Sequence, residues 1–239
     1  MPGIPFFYTM NVLLHMCCGP CAVAVIERLL DEGHKVTGFF FNPNIHPLSE
    51  YMRRREAAGQ TAKYYSIPLI FGDALPYEEQ EWGMAAFSSV EEPLEGLRHE
   101  ATEQSCNDLE NLPPAVNPVL WLRMIHGREH ARCPLCWASR LRQTARHAAR
   151  HGFDAITSSL LYSRYQDHAL LKKQGESFAK AHGLAFVYAD YRELWQYGID
   201  RSKELDLYRQ SYCGCMLSEY ERYAKKLQRM IKEEEGFIE

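Results

Sequence analysis

The chain has 239 residues, enough to bury a sizeable core as one domain, or as one domain with an elaborated insertion. Its formal net charge of −4 excludes a global electrostatic pull toward nucleic acid, so any such binding has to use local basic patches. A hydrophobic share of 46% and a charged share of 24% are those of an ordinary globular protein.

Met1 to Met10 carries no positive residue ahead of its apolar stretch and has no cleavage-like end, so no signal peptide is expected. No apolar run reaches the roughly eighteen residues of a membrane span. The expected setting is cytoplasmic, away from membranes, where thiols stay reduced. There the eight cysteines are metal ligands or reactive thiols sooner than structural disulfides.

In chain order, residues 11–16 (NVLLHM) read as a short buried strand, and residues 17–21 (CCGPC) as a turn. A helix follows over 22–30, closed by Gly33, with Pro20 suited to the first helical turn because no N–H is needed there. Residues 35–41 (KVTGFFF) form a second strand, ended by the turn signal Asn42-Pro43-Asn44. This βαβ unit is expected to be parallel and right-handed. A helix over 49–65 and a strand over 67–71 come next. Residues from about 72 to 132 carry prolines and acidic clusters with little periodicity, and are read as an irregular or partly helical insertion. Beyond it lie a helix over 134–150, a strand over 153–161, a helix over 167–182, a strand over 184–189 and a charged amphipathic helix over 218–235. The expectation is one domain over 1–239: a three-layer α/β sandwich, Rossmann-like, around a mainly parallel sheet. In such sheets ligands bind beyond the carboxyl ends of the strands, the edge where residues 17–18 and 161–165 should meet.

Seven of the cysteines fall into three tight groups: Cys17, Cys18 and Cys21; Cys133 and Cys136; Cys213 and Cys215. Cys106 stands alone and reads as an ordinary thiol. The first group faces a helix N-terminus, which favours the thiolate, the form that binds metal. The two-residue spacer between Cys133 and Cys136 lets both sulfurs reach one metal. All-sulfur ligation points to an iron–sulfur cluster or zinc and away from hard cations. Adjacent cysteines suit a cluster, whose irons are spread apart, better than a tetrahedral zinc site. Inert core thiols remain the third reading. A bridge across the single residue between Cys213 and Cys215 would be strained and therefore redox-labile, and Gly214 supplies the freedom such a loop needs. Two further metal ligands is the alternative.

None of the ten histidines lies in an H-E-x-x-H motif. His99, His126, His130, His147 and His151 lie among charges and are expected in solvent, while His15 and His46 fall near the site edge. The basic groups Arg53-Arg54-Arg55 and Arg140, Arg142, Arg146, Arg150 are candidate phosphate contacts, against the alternative of solvated helix faces. A modest basic rim around a sulfur-rich pocket suits a tRNA. Tyr162, Tyr165 and Tyr212 are candidates to stack on a base lifted from an RNA loop, with core or edge packing as the equal alternative. No glycine-rich dinucleotide fingerprint, phosphate loop or nucleophile elbow is present.

Four stretches carry a family resemblance. Residues 14–21 (LHMCCGPC), residues 40–47 (FFNPNIHP), Cys133 and Cys136 with Arg140-Leu141 and Thr144-Ala145, and residues 208–215 (YRQSYCGC) resemble the QueH-type epoxyqueuosine reductases, in the same order and over about 11–220. The likeness implies reduction of epoxyqueuosine in the tRNA anticodon loop to queuosine, on a Rossmann-like α/β sandwich of the nucleotide-binding hydrolase type. It implies that Cys17, Cys18, Cys133 and Cys136 hold a [4Fe–4S] cluster and that Cys213 and Cys215 form the redox-active pair. Cys21 matches the motif too, and an additional iron beside the cluster is compatible with it. A ferredoxin or flavodoxin is the implied class of electron donor. Two departures stand out: the stretch before Cys133 is long, and Ser163-Arg164-Tyr165-Gln166 replaces a Ser-Pro-Tyr-Lys sequence. A zinc-stabilised RNA-binding module and a thiol-based tRNA sulfur transferase are the rival readings.

Overall fold

Five strands, Asn11–His15 (β1), Lys35–Phe40 (β2), Leu69–Phe71 (β3), Ala155–Ser158 (β4) and Ala185–Phe186 (β5), form one sheet in the order β3-β2-β1-β4-β5. All four pairings are parallel. The protein is seen here as a computed structural model that describes residues 9–75 and 116–235. Its helices are Gly19–Asp31 (α1), Leu48–Tyr64 (α2), Pro118–Ile125 (α3), Arg132–Arg150 (α4), His168–Ala181 (α5), Trp195–Glu204 (α6) and Met216–Glu235 (α7).

Strand alternation sorts the core into two faces. Leu13, Phe39, Phe41 and Ile156 pack with Ala145 and Ala148 of α4 and Ala179 of α5. Leu14, Met16, Val36 and Phe40 belong to a larger cluster with Ala22, Val25, Ile26 and Leu29 of α1. Helix α1 packs on α2 and α6, and α4 on α5, which makes the three-layer α/β sandwich expected of alternating strands and helices.

The chain winds outward from β1 to β3, then returns on the other side of β1 as β4. Strand order therefore reverses between β1 and β4, and a crevice opens beyond their carboxyl ends. Residue 17 leaves β1 there, and residue 159 leaves β4 beside it.

Several boundaries differ from the sequence expectation for identifiable reasons. The strand expected over 153–161 ends at Ser158, whose Oγ accepts from the Leu160 N–H and starts a 3-10 turn over Ser159–Tyr162. The strand expected over 184–189 is reduced to β5. Helix α6 was not foreseen: its sequence, WQYGIDRSKE, is largely polar and holds a central glycine. Helix α4 begins at Arg132, two residues earlier than expected, which puts Cys133 as well as Cys136 inside its opening turns. Within the expected insertion, α3 is capped by Asn117 Oδ1 and buries Trp121, Met124 and Ile125, so this end belongs to the core. Cys106 and His99 lie outside the described residues. Among the described residues, no helix is long and apolar enough to cross a membrane.

Gly19, at the start of α1, lets α2 approach closely. A Cβ there would lie 2.4 Å from the Ala57 carbonyl oxygen and 2.6 Å from Thr61 Oγ1. The first clash is with backbone, which cannot swing aside. Gly19→Ala is therefore expected to destabilise the metal-free protein by about 1–3 kcal/mol, as overpacking does. Urea denaturation checks this, and an unchanged midpoint would contradict so tight a helix contact.

Candidate metal centre

The first cysteine group sits where β1 gives way to α1. Its three sulfurs lie within 4.8 Å of one another, with Cys17 Sγ and Cys18 Sγ 3.8 Å apart. Cys18 is the N-cap residue of α1: its sulfur takes the place of the usual serine or aspartate oxygen and accepts from the Cys21 N–H at 3.4 Å. Ser159, arriving from β4, fixes Cys17 twice. Its hydroxyl accepts from the Cys17 N–H at 2.9 Å and donates to Cys17 Sγ at 3.3 Å. From the far end of the chain, the Gln210 side-chain amide donates to Cys18 Sγ at 3.1 Å and to Cys21 Sγ at 3.2 Å.

Hydrogen bonds from Cys18 and Cys21, helped by Arg140 and Ser159, hold the Cys17 thiol well below its ordinary value. Burial, then the neighbouring sulfur, pushes Cys18 up. Hydrogen bonds to Cys17 and Cys18, then burial, push Cys21 up. Within the trio the proton is thus held least tightly on Cys17 and more tightly on Cys18 and Cys21.

Arg140 supplies the opposing charge. Its side chain is 1% exposed, one of its terminal nitrogens donates to Asn44, and its Nε is buried without a hydrogen-bond partner. Its positive charge favours the thiolates of Cys17, Cys136 and Cys213. Burial and then Arg140 also drive His15 down to about 4, so its imidazole is neutral near pH 7. That ring bonds Ser158 Oγ at 2.9 Å and the Phe41 carbonyl at 3.2 Å, a positioning role inside the fold.

Cys133 and Cys136 are three residues apart on α4 and so share one helix face. Burial pushes both up, Cys136 to about 12, and the charges of Cys213 and Cys215 push in the same direction. Cys213 opens to solvent at one edge, yet burial raises its thiol too, and it feels both Cys215 and Cys17. The three sequence groups are therefore in electrostatic reach of one another, although only the first closes into a compact trio among the described residues.

The segment 213–215 is held from α2. Arg54, 1% exposed, pairs with Glu50 Oε1 at 2.7 Å and donates to the carbonyls of Tyr212 at 2.9 Å and Cys213 at 3.0 Å. Gly214 has φ +128°, a conformation that side-chain-bearing residues rarely adopt. Its carbonyl accepts from the His46 N–H at 2.8 Å. Gln166, at the end of the 163–166 loop, reaches Cys213 Sγ at 3.9 Å.

Four expectations about side chains are corrected. Arg54 and Arg140 are buried, so neither offers a surface phosphate contact. His147 is buried and stacks on Phe39 at 5.0 Å. Tyr162 is buried, stacked on Trp195 at 5.2 Å, with its hydroxyl donating to the Trp195 carbonyl. Tyr165, by contrast, is 84% exposed and meets the same Trp195 edge-on at 5.8 Å. The Arg164 guanidinium lies 5.6 Å from the Trp195 ring centre. Tyr212 is half-buried against Arg54. The sequence gives no role to Ser159, Gln166 or Gln210; Gln210 is marked only by its place within residues 208–215, and Gln166 only by the departure at residues 163–166.

All-sulfur donors facing a buried, incompletely bonded guanidinium fit a soft, thiolate-bound metal group, which would be anionic. Such binding needs thiolates, and Cys18 and Cys21 are held protonated, so metal must displace protons. With both groups raised, affinity is expected to increase with pH across the neutral and mildly alkaline range. Cobalt(II) titration of the reduced, metal-free protein, followed by the thiolate-to-metal absorption, checks this. A pH-independent affinity would exclude Cys18 and Cys21 as ligands.

A family model described as "Epoxyqueuosine reductase QueH" matches residues 12–108 and 95–221. Proteins named epoxyqueuosine reductase QueH are similar over most of their length. The Dehalococcoides mccartyi protein is 33% identical over 90% of this chain and 96% of its own. The Thermotoga maritima protein is 30% identical over 90% and 93%, and the Haemophilus influenzae protein 32% over 87% and 71%.

Proposed function

This chain belongs to the epoxyqueuosine reductase QueH family, and from that premise we propose that it reduces epoxyqueuosine in the tRNA anticodon loop to queuosine, the last step in making that base. Opening an epoxide to an alkene takes up two electrons and two protons and releases the oxygen as water. We assign Cys17, Cys18, Cys133 and Cys136 as ligands of a [4Fe–4S] cluster, with Cys21 as a donor for an additional iron. When bound, the cluster supplies electrons one at a time. A ferredoxin or flavodoxin fits as the external donor, and the cytosol as the compartment.

The observation that carries this reading is that Cys17, Cys136 and Cys213, from three distant parts of the chain, all lie within electrostatic reach of the buried Arg140. The dithiol of Cys213 and Cys215 is the second redox store. Passing to a disulfide, it releases the two electrons and two protons that the epoxide consumes. Cys213 is the member open to substrate, and Gln166 touches its sulfur. Ser159 and Gln210 orient the sulfurs of the trio. Arg54, through the carbonyls of 212 and 213, holds the pair at the crevice mouth. Tyr165, one residue from Gln166, is the exposed ring on which a base of the anticodon loop stacks.

The decisive experiment incubates anaerobically reconstituted protein with epoxyqueuosine-containing tRNA and a chemical reductant, with mass spectrometry of the released nucleosides. Conversion to queuosine is expected; protein with a full iron and sulfide complement that leaves epoxyqueuosine intact would overturn the reading. Cys213→Ser should keep the iron yet lose turnover, and an active variant would remove the pair from the reaction.

Tyr165→Ala should raise KM for tRNA about tenfold, the worth of one base stack, with kcat and iron content little changed. An unchanged KM would remove Tyr165 from the tRNA contact.

A further inference from the structure

The last helix carries an apolar stripe that the rest of the described chain leaves uncovered. Met216, Tyr220, Tyr223, Leu227 and Met230 are each between 40% and 65% exposed. Their spacing alternates four and three residues, the pattern that brings one side of a helix repeatedly against another helix. The helix is tied down beside the stripe: Leu217 packs on the core, Glu221 pairs with Arg132 of α4, and the Tyr223 hydroxyl bonds Ser211 Oγ at 3.0 Å. From residue 225 to 233 every side chain is exposed, so α7 stands clear of the body. Most of the stripe lies beyond residue 221, where the family match ends.

We propose that α7 is a self-association helix that pairs antiparallel with α7 of a second copy of this chain. The stripe is close to palindromic about Tyr223. Antiparallel pairing about that residue sets Met216 opposite Met230 and the two Tyr223 rings together, with Tyr220 and Leu227 one residue out of step. The same register brings Glu219, flanking the stripe, within one residue of the level of Lys226 of the second copy, in reach of an ion pair that symmetry repeats. Parallel pairing would leave Glu219 facing Ala224 and Lys226 facing Ile231, with no charge matched. Charge and apolar pattern thus select the same occupant and the same direction. The inference is independent of the reaction proposed above.

Sedimentation equilibrium of the full chain, kept reduced at micromolar concentration, tests it. Twice the monomer mass is expected, and Leu227→Glu should give a monomer with unchanged thermal unfolding of the remaining fold. Lys226→Glu should weaken the dimer about tenfold by turning both ion pairs into repulsions. Adding Glu219→Lys to it should restore the affinity. A wild-type chain that stays monomeric, or a dimer that survives Leu227→Glu, would overturn the proposal. A double variant no tighter than Lys226→Glu alone would overturn the antiparallel register.

Discussion

A buried guanidinium facing sulfur from three parts of the chain is the constraint on which the site depends. Taking Arg140 out of water is costly unless an anion meets it, and a single hydrogen bond to Asn44 does not discharge that cost. Cys17, whose thiolate Arg140 favours, can meet part of it, and a thiolate-bound metal group would meet more. The reverse also holds: the charge of Arg140 offsets the burial that disfavours the thiolates of Cys17, Cys136 and Cys213. Arg54 plays a different part. Its charge is matched by Glu50, and its remaining donors hold the backbone of 212 and 213. One arginine balances the site, and the other shapes its mouth.

The sheet explains why these groups meet at all. Strand order reverses between β1 and β4, so the residues leaving those strands, Cys17 and Ser159, face one another across the crevice and bond twice. Cys18 then begins α1 as its cap, which lets one residue serve both the helix and the sulfur trio. A site at this point needs no glycine-rich loop: here sulfur occupies the helix N-terminus, where a nucleotide binder would seat phosphate.

Much of this was legible beforehand. The βαβ unit, the Pro20 start of α1 and the three cysteine groups are local patterns, and local patterns survive folding. What was not legible depended on tertiary contact. Residues 159–161 are apolar enough for a strand, yet the Ser158 cap turns the chain into a 3-10 turn. Helix α6 lacks apolar periodicity, and its Gly198 is there because Tyr162 packs against it: a Cβ would lie 2.4 Å from the Tyr162 hydroxyl. Arg54, Arg140 and His147 read as surface residues because charge normally seeks water; each is buried because a specific partner awaits it, respectively Glu50, the sulfur groups and the Phe39 ring. Tyr162 and Tyr165, three residues apart with the same chemistry, end on opposite sides of the surface because Trp195 takes one ring face-on and the other only by its edge.

The most direct test of the whole account is anomalous diffraction at the iron edge from crystals of anaerobically reconstituted protein. The account predicts iron between the sulfurs of Cys17 and Cys18 on one side and those of Cys133 and Cys136 on the other, close to Arg140. Iron bound elsewhere, or a Cys133–Cys136 pair turned away from it, would contradict the account.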